Sequence, residues 1–155
     1  MPPHLRIARP VTDLAKSVRM YCDGLGWSVL AEFADHDGFD GAMLGNPDAP
    51  YHFEFTVTRI GGAVPTPTSE DLVVLYLPSV QEWQRRCESL VAVGFTEVAS
   101  SNPYWSARGK TFQDPDGYRV VLQNARWPSD AEESDSRCAS SSFTPTTSLT
   151  ASTAH

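Results

Sequence analysis

The sequence predicts an α+β fold in which two tandem βαβββ modules form a curved, cup-shaped mixed sheet with the helices on its convex side. Three observations carry that expectation. Short runs of alternating polar and apolar residues, the period of a strand, recur between turn residues. Two segments with apolar residues at helical spacing each follow such a run. The second half of the chain also repeats the grammar of the first: an offset of 67 puts Thr12 on Ser79, Pro10 on Leu77 and Glu54 on Val121, while the glycines at the helix ends differ by 68. A one-residue loop insertion produces that drift. A module of this kind cannot cover both faces of its own sheet, so two should pack side by side around a shared concave surface, the expected pocket.

Leu5 to Arg9, closed by Pro10, is the opening strand, with Arg6 and Ala8 on one face and Ile7 on the other. A helix follows, with Thr12 as N-cap and Asp13 in its first turn. Leu14, Val18, Tyr21, Cys22 and Leu25 form its buried stripe, and Gly24 and Gly26 offer ends. Trp27–Phe33, Phe39–Leu44 and Tyr51–Val57 are the next strands, separated by the turns Asp35–Gly38 and Gly45–Asp48. Arg59 to Glu70, rich in glycine, proline and threonine, is the linker between modules. Leu72–Leu77 opens the second module, and Ser79 with Glu82 makes a capping box for a helix burying Val80, Trp83, Cys87, Leu90 and Val91. Gly94 ends that helix. Asp114-Pro115-Asp116-Gly117 is the turn into a last strand, Tyr118–Gln123. The helices would cover Ile7, Phe53, Val74 and Val120.

The 155 residues, 41% of them hydrophobic, suit one domain over residues 1–128, with modules at about 5–58 and 71–124. After Trp127-Pro128 the composition turns to Ser, Thr, Asp and Glu, so residues 129–155 read as a disordered acidic tail carrying −3 of the net charge of −7. An acidic chain argues against nucleic acid and anionic membrane as partners, since both require basic patches. No apolar run approaches the roughly 18 residues of a membrane span, and Met1-Pro2-Pro3-His4 lacks the parts of a signal peptide, so a cytoplasmic location is expected. The three cysteines, Cys22, Cys87 and Cys138, suggest neither a disulfide framework nor a metal site. No phosphate-binding glycine loop, serine nucleophile elbow, kinase signature or zinc-binding cysteine pair occurs.

The stretch from Tyr51 to Thr56 carries the chemistry. Tyr51, Phe53 and Phe55 would face a helix, leaving His52, Glu54 and Thr56 in a row on the other side. A polar row is expensive in a closed cavity unless it is used or paired, which makes His52 and Glu54 candidate acid–base groups. Arg6, on the same concave surface, is a candidate anchor for an anionic or enolic oxygen. Equally, Arg6 and Glu54 can be a structural ion pair. Tyr104 and Trp105, in a loop before a strand, are candidate substrate-binding lid residues, or aromatics packed on the domain edge.

The run from Arg6 to Tyr21, the exit Leu25-Gly26-Trp27, and Lys110 to Leu122 around Asp114-Pro115-Asp116-Gly117 together resemble the vicinal oxygen chelate superfamily of glyoxalases, bleomycin-resistance proteins and extradiol dioxygenases. The resemblance covers about residues 5 to 124. It implies a homodimer and a divalent metal held by inward His, Glu or Gln residues on the first and fourth strands of each module. The positions concerned are Arg6, Glu54, Val73 and Val121, and of these only Glu54 is a plausible ligand. The usual metal site is thus incomplete, the cofactor is open, and a displaced site from His36, His52 and Glu54 is the weaker alternative. Two functions follow: a small-molecule enzyme of lyase or isomerase type, with acid–base chemistry at His52 and Glu54, or a metal-independent protein that binds and sequesters a drug-like molecule.

Overall fold

The computed structural model describes residues 1–128, and the expected tail, with Cys138, lies outside them. Met1–Ala125 form one compact unit; Arg126, Trp127 and Pro128, the described part of a second, are exposed and outside any helix or strand. In chain order the elements are β1 (Leu5–Pro10), α1 (Leu14–Leu25), β2 (Ser28–His36), β3 (Phe39–Gly45), β4 (Tyr51–Thr58), β5 (Leu72–Tyr76), α2 (Val80–Ala92), β6 (Thr96–Val98), a short α3 (Tyr104–Ala107), β7 (Gly109–Gln113) and β8 (Arg119–Gln123). The βαβββ order appears twice. The strands form two mixed four-stranded sheets, β1-β4-β3-β2 and β5-β8-β7-β6, with β1 parallel to β4 and β5 parallel to β8. Each module therefore ends by laying its last strand beside its first.

Burial follows the alternation read in the sequence. Phe53 and Phe55 are 2% and 0% exposed on the helix side of the first sheet, Val120 and Leu122 are fully buried on that of the second, and Met20, Tyr21, Leu25 and Leu90 fill the layer between. Cys87 belongs to this core, where burial pushes its thiol up to about 11. The helices meet at Gly24: a Cβ there would stand 2.8 Å from Leu90 Cδ2 and 3.2 Å from Val93 Cγ2. Gly24 is thus the close-packing point of α1 on α2 and not a helix end. Gly26, at φ 70°, is the C-cap. The N-cap is Asp13, whose carboxylate accepts from Lys16 N at 3.0 Å, one residue later than expected; Thr12 gives its backbone N–H to Asp116 of the other module. Ser79 caps α2 as the sequence predicts.

That Thr12–Asp116 bond is one of three ties between the β1–α1 junction and the Asp114–Gly117 turn. Tyr21 donates its hydroxyl to Asp114 at 2.8 Å inside the core, and Tyr118 donates to the carbonyl of Pro10 at 2.9 Å. Asp114 also accepts from the N–H groups of Asp116 and Tyr118, which shapes its own turn. Burial raises the pKa of Asp114 and, with the carboxylate beside it, that of Tyr21 well above its ordinary value. The guanidinium of Arg9 lies between the rings of Phe53 and Tyr118, 5.4 and 4.5 Å from their centres, across the same junction. Two of the three stretches that carry the superfamily resemblance, Arg6–Tyr21 and Lys110–Leu122, are therefore the two halves of one inter-module clamp.

Candidate functional site on the open face of the first sheet

Strand register decides which side chains share a face. Arg6 lies beside His52, Ala8 beside Glu54 and Pro10 beside Thr56, while Met43 stands opposite Glu54 and Gly41 opposite Thr56. Arg6, Met43, His52, Glu54 and Thr56 consequently project from the face that the helices do not cover. Gly41 leaves room there for the ring of Phe33, which lies across it from β2 and which an added Cβ would push aside. The result is a cavity of about 710 Å3 with Arg6, Glu54 and Thr56 in its floor, Phe33, Phe39 and Met43 as apolar wall, and His36 and Asp37 at its rim. The β2–β3 turn carrying that rim is held by Asp40, which accepts from Asp35 N, Arg59 Nε and Arg59 Nη2 at 2.8 to 3.0 Å. Those bonds hold its carboxyl below the usual carboxylate range.

The polar groups form a chain. Arg6 Nη1 donates to Glu54 Oε2 at 3.2 Å, and Arg6 Nε donates to His52 Nε2 at 2.9 Å. A guanidinium can only donate, so the proton of neutral His52 is assigned to Nδ1, from which it is donated to His4 Nε2 at 2.6 Å. Partial burial, then Arg6 and His4, lower the pKa of His52, against the pull of Glu54. Arg6 is 48% exposed and Glu54 15%, so the pair lies in an open cavity and not in a sealed one.

Some expectations are corrected by this geometry. His52 shares the row with Glu54 but stands beside the cavity, both its ring nitrogens engaged, and is not among the lining residues. His36 pairs with Asp37 at 3.7 Å on the exposed rim, and among the described residues no three or more His, Cys, Asp or Glu side chains gather as a metal would require, so His36, His52 and Glu54 are not assembled as a ligand set. The superfamily position does not fit a metal either, because Arg6 holds the one available carboxylate and the facing nitrogen of His52. In the second module Val73 pairs with Val120 and packs on the core, as Ile7 does beside Phe53. The counterpart of Arg6 is thus Leu72, and Val74 lies on the face away from the helices, the reverse of the expected arrangement. A one-residue slip in the repeat turns every side chain of a strand over.

Tyr104 and Trp105 do not approach Arg6 and Glu54. They start α3, which packs on β7 at Gly109, where a Cβ would strike the Gln123 side chain and the Trp105 carbonyl. Thr111, Val121 and Gln123, on the face of the second sheet away from the helices, are buried at 1%, 0% and 4% exposure, whereas β2 of the first is exposed along almost its whole length. The two modules are alike in topology and unlike in cover. His4, near a terminus, carries no periodic signal in the sequence; its position directly before a strand that pairs with the His52 strand is the clue the sequence offers.

Tandem βαβββ modules with helices on one side and an open sheet face on the other define the vicinal oxygen chelate fold. The chain belongs to the YycE-like family: the YycE-like N-terminal domain matches residues 5–56 and the YycE-like C-terminal domain residues 70–124. It is 43% identical over 122 residues to the uncharacterized protein YycE of Bacillus subtilis (strain 168), covering 79% of this chain and 88% of that protein. The crystal structure of B. subtilis YycE aligns with a TM-score of 0.74 over 78% of this chain and 88% of the other. Two more distant structures share the fold. The trypanothione-dependent glyoxalase I of Leishmania major aligns with TM-score 0.62 at 18% identity over 91% and 94% of the chains, and the fosfomycin resistance protein FosX of Mesorhizobium loti with 0.62 at 12% over 86% and 94%.

Proposed function

We propose that the chain acts on a small molecule bound on the open face of the first sheet, through lyase- or isomerase-type acid–base chemistry in which Glu54 is the base. One observation carries this reading. Glu54 is sheltered at the cavity floor and is bonded to Arg6 through Oε2, while Oε1 makes no hydrogen bond among the described residues. A substrate carbonyl oxygen near the Arg6 guanidinium would gain negative charge as Glu54 takes a proton from the adjacent carbon, and the guanidinium stabilises that charge. Returned to the same carbon the proton gives exchange; returned by the same carboxyl to the former carbonyl carbon of an α-hydroxyketone, with the hydroxyl proton passing to the former carbonyl oxygen, it completes an isomerisation without a redox partner. His52, held by His4, orients Arg6 and does not itself move the proton.

Deuterium incorporation next to the carbonyl tests the proposal directly. Hydroxyacetone and related α-hydroxyketones incubated with the protein in D2O are expected to exchange at that carbon faster than in buffer, and Glu54→Gln should abolish the gain. Binding with no exchange in any such compound would favour the second reading, sequestration of a drug-like molecule, which the aromatic wall of Phe33 and Phe39 supports.

We also infer a homodimer in the cytoplasm, joined through the first sheet. Its support is the exposed edge strand β2, where Val29 and Leu30 remain 43% and 38% exposed. No described helix is long and apolar enough to cross a membrane.

A further inference from the structure

We propose that the cleft between the two modules is a second binding site, separate from the Arg6–Glu54 cavity, and that it takes a small aromatic carboxylate. The cleft has a volume of about 650 Å3, within the range of pockets that hold small molecules. One wall is β5, lining it from Leu72 to Tyr76, a strand paired with β8 on one edge and with no strand on the other. The floor is aromatic: Trp27 stacks on Phe53 with ring centres 5.0 Å apart and planes 25° from parallel, and Tyr51 continues it. A flat apolar ring fits such a surface by stacking and exclusion of water.

The mouth supplies the charge. Arg86 of α2 lines the cleft half-buried, with its guanidinium over the backbone of Gly26, where any Cβ would collide with it. No hydrogen bond or ion pair to Arg86 exists among the described residues, not even with Glu82 one turn earlier on the same rim. A partly desolvated guanidinium without a partner, beside an aromatic floor, matches a carboxylate attached to a ring, because the fork of N–H groups pairs with both oxygens. Glu82 on the same rim works against a second negative charge, so the geometry favours a monoanion.

Calorimetric titration of the full chain with 2-naphthoate, and with 2-naphthalenemethanol as its uncharged counterpart, tests this. Naphthoate is expected to bind at one site per chain and more tightly than the alcohol. Arg86→Gln should weaken naphthoate by about tenfold, the loss of one charge-assisted contact, and leave the alcohol unchanged. Arg86→Lys should restore part of the loss, and both variants should melt as the parent does, since Arg86 lies at a rim. In amide and indole NMR spectra the shifts should fall on Trp27 and Leu72–Tyr76, and Arg6→Met should leave the affinity as it was. Equal binding of the two probes, indifference to Arg86→Gln, shifts at His52 and Glu54 instead, or no binding at millimolar naphthoate would each overturn the proposal.

Discussion

His52 shows how one residue's role depends on its neighbours. In the chain from Arg6 to His4 each nitrogen of the neutral imidazole already has a defined part, so an added proton must break a bond. Because its folded pKa lies below the ordinary value of about 6.5, the contribution of neutral His52 to stability is present above that pH and is lost as pH falls through the lower folded value. An NMR titration should place its midpoint below that of a free histidine. His4→Ala should move the midpoint up, and Glu54→Gln should move it further down, since Glu54 is the one neighbour that raises it. The Arg6–Glu54 pair sits between a solvated and a buried one, so its worth is modest. A double-mutant cycle on Arg6→Met and Glu54→Gln, followed by melting, is expected to give a coupling of about 1 kcal/mol or less. A coupling several times larger would mean the cavity is closed in solution.

Among the elements, α1 and the Asp114–Gly117 turn have the largest consequence, because they join the modules. Tyr21→Phe removes the donor to Asp114 and leaves a buried carboxylate short of one bond, which should lower stability by roughly 1–3 kcal/mol in a denaturant titration. The loss should shrink at low pH, where Asp114, with its raised pKa, is protonated early. Gly24→Ala would press a methyl group into Leu90 and Val93 and is expected to cost about 1–3 kcal/mol through overpacking, although alanine is the better helix former. A stabilised Gly24→Ala variant would show that α1 and α2 are less closely packed than the distances indicate.

For the whole molecule, the asymmetry of cover sets the expectation. The second sheet is covered on both faces and the first on one, so association should use the first. Light scattering at micromolar concentration is expected to report twice the chain mass, and a charge introduced by Leu30→Lys should shift it toward the monomer; a monomeric parent would remove the dimer. A chain ending at Pro128 is expected to melt within a few degrees of the full protein, because the segment beyond it is poor in large apolar side chains.

The sequence alone determined the duplicated βαβββ order, the capped helix at Ser79, the aromatic back of β4 and the row of His52, Glu54 and Thr56, because each of these is local and periodic and burial only has to respect the pattern. Tertiary structure decided how the row is used. Whether Arg6 meets Glu54 through one nitrogen and His52 through another depends on a parallel register between strands 46 residues apart, which no local pattern encodes. Which face of β5 points inward was decided the same way, by pairing with β8, and a shift of one residue was enough to exchange Val73 and Val74. Tyr104, exposed, and Trp105, half-buried, stand before a strand, and the short helix they start packs on β7 of the second sheet, since a loop's composition says that it can cover a surface and only packing says which one.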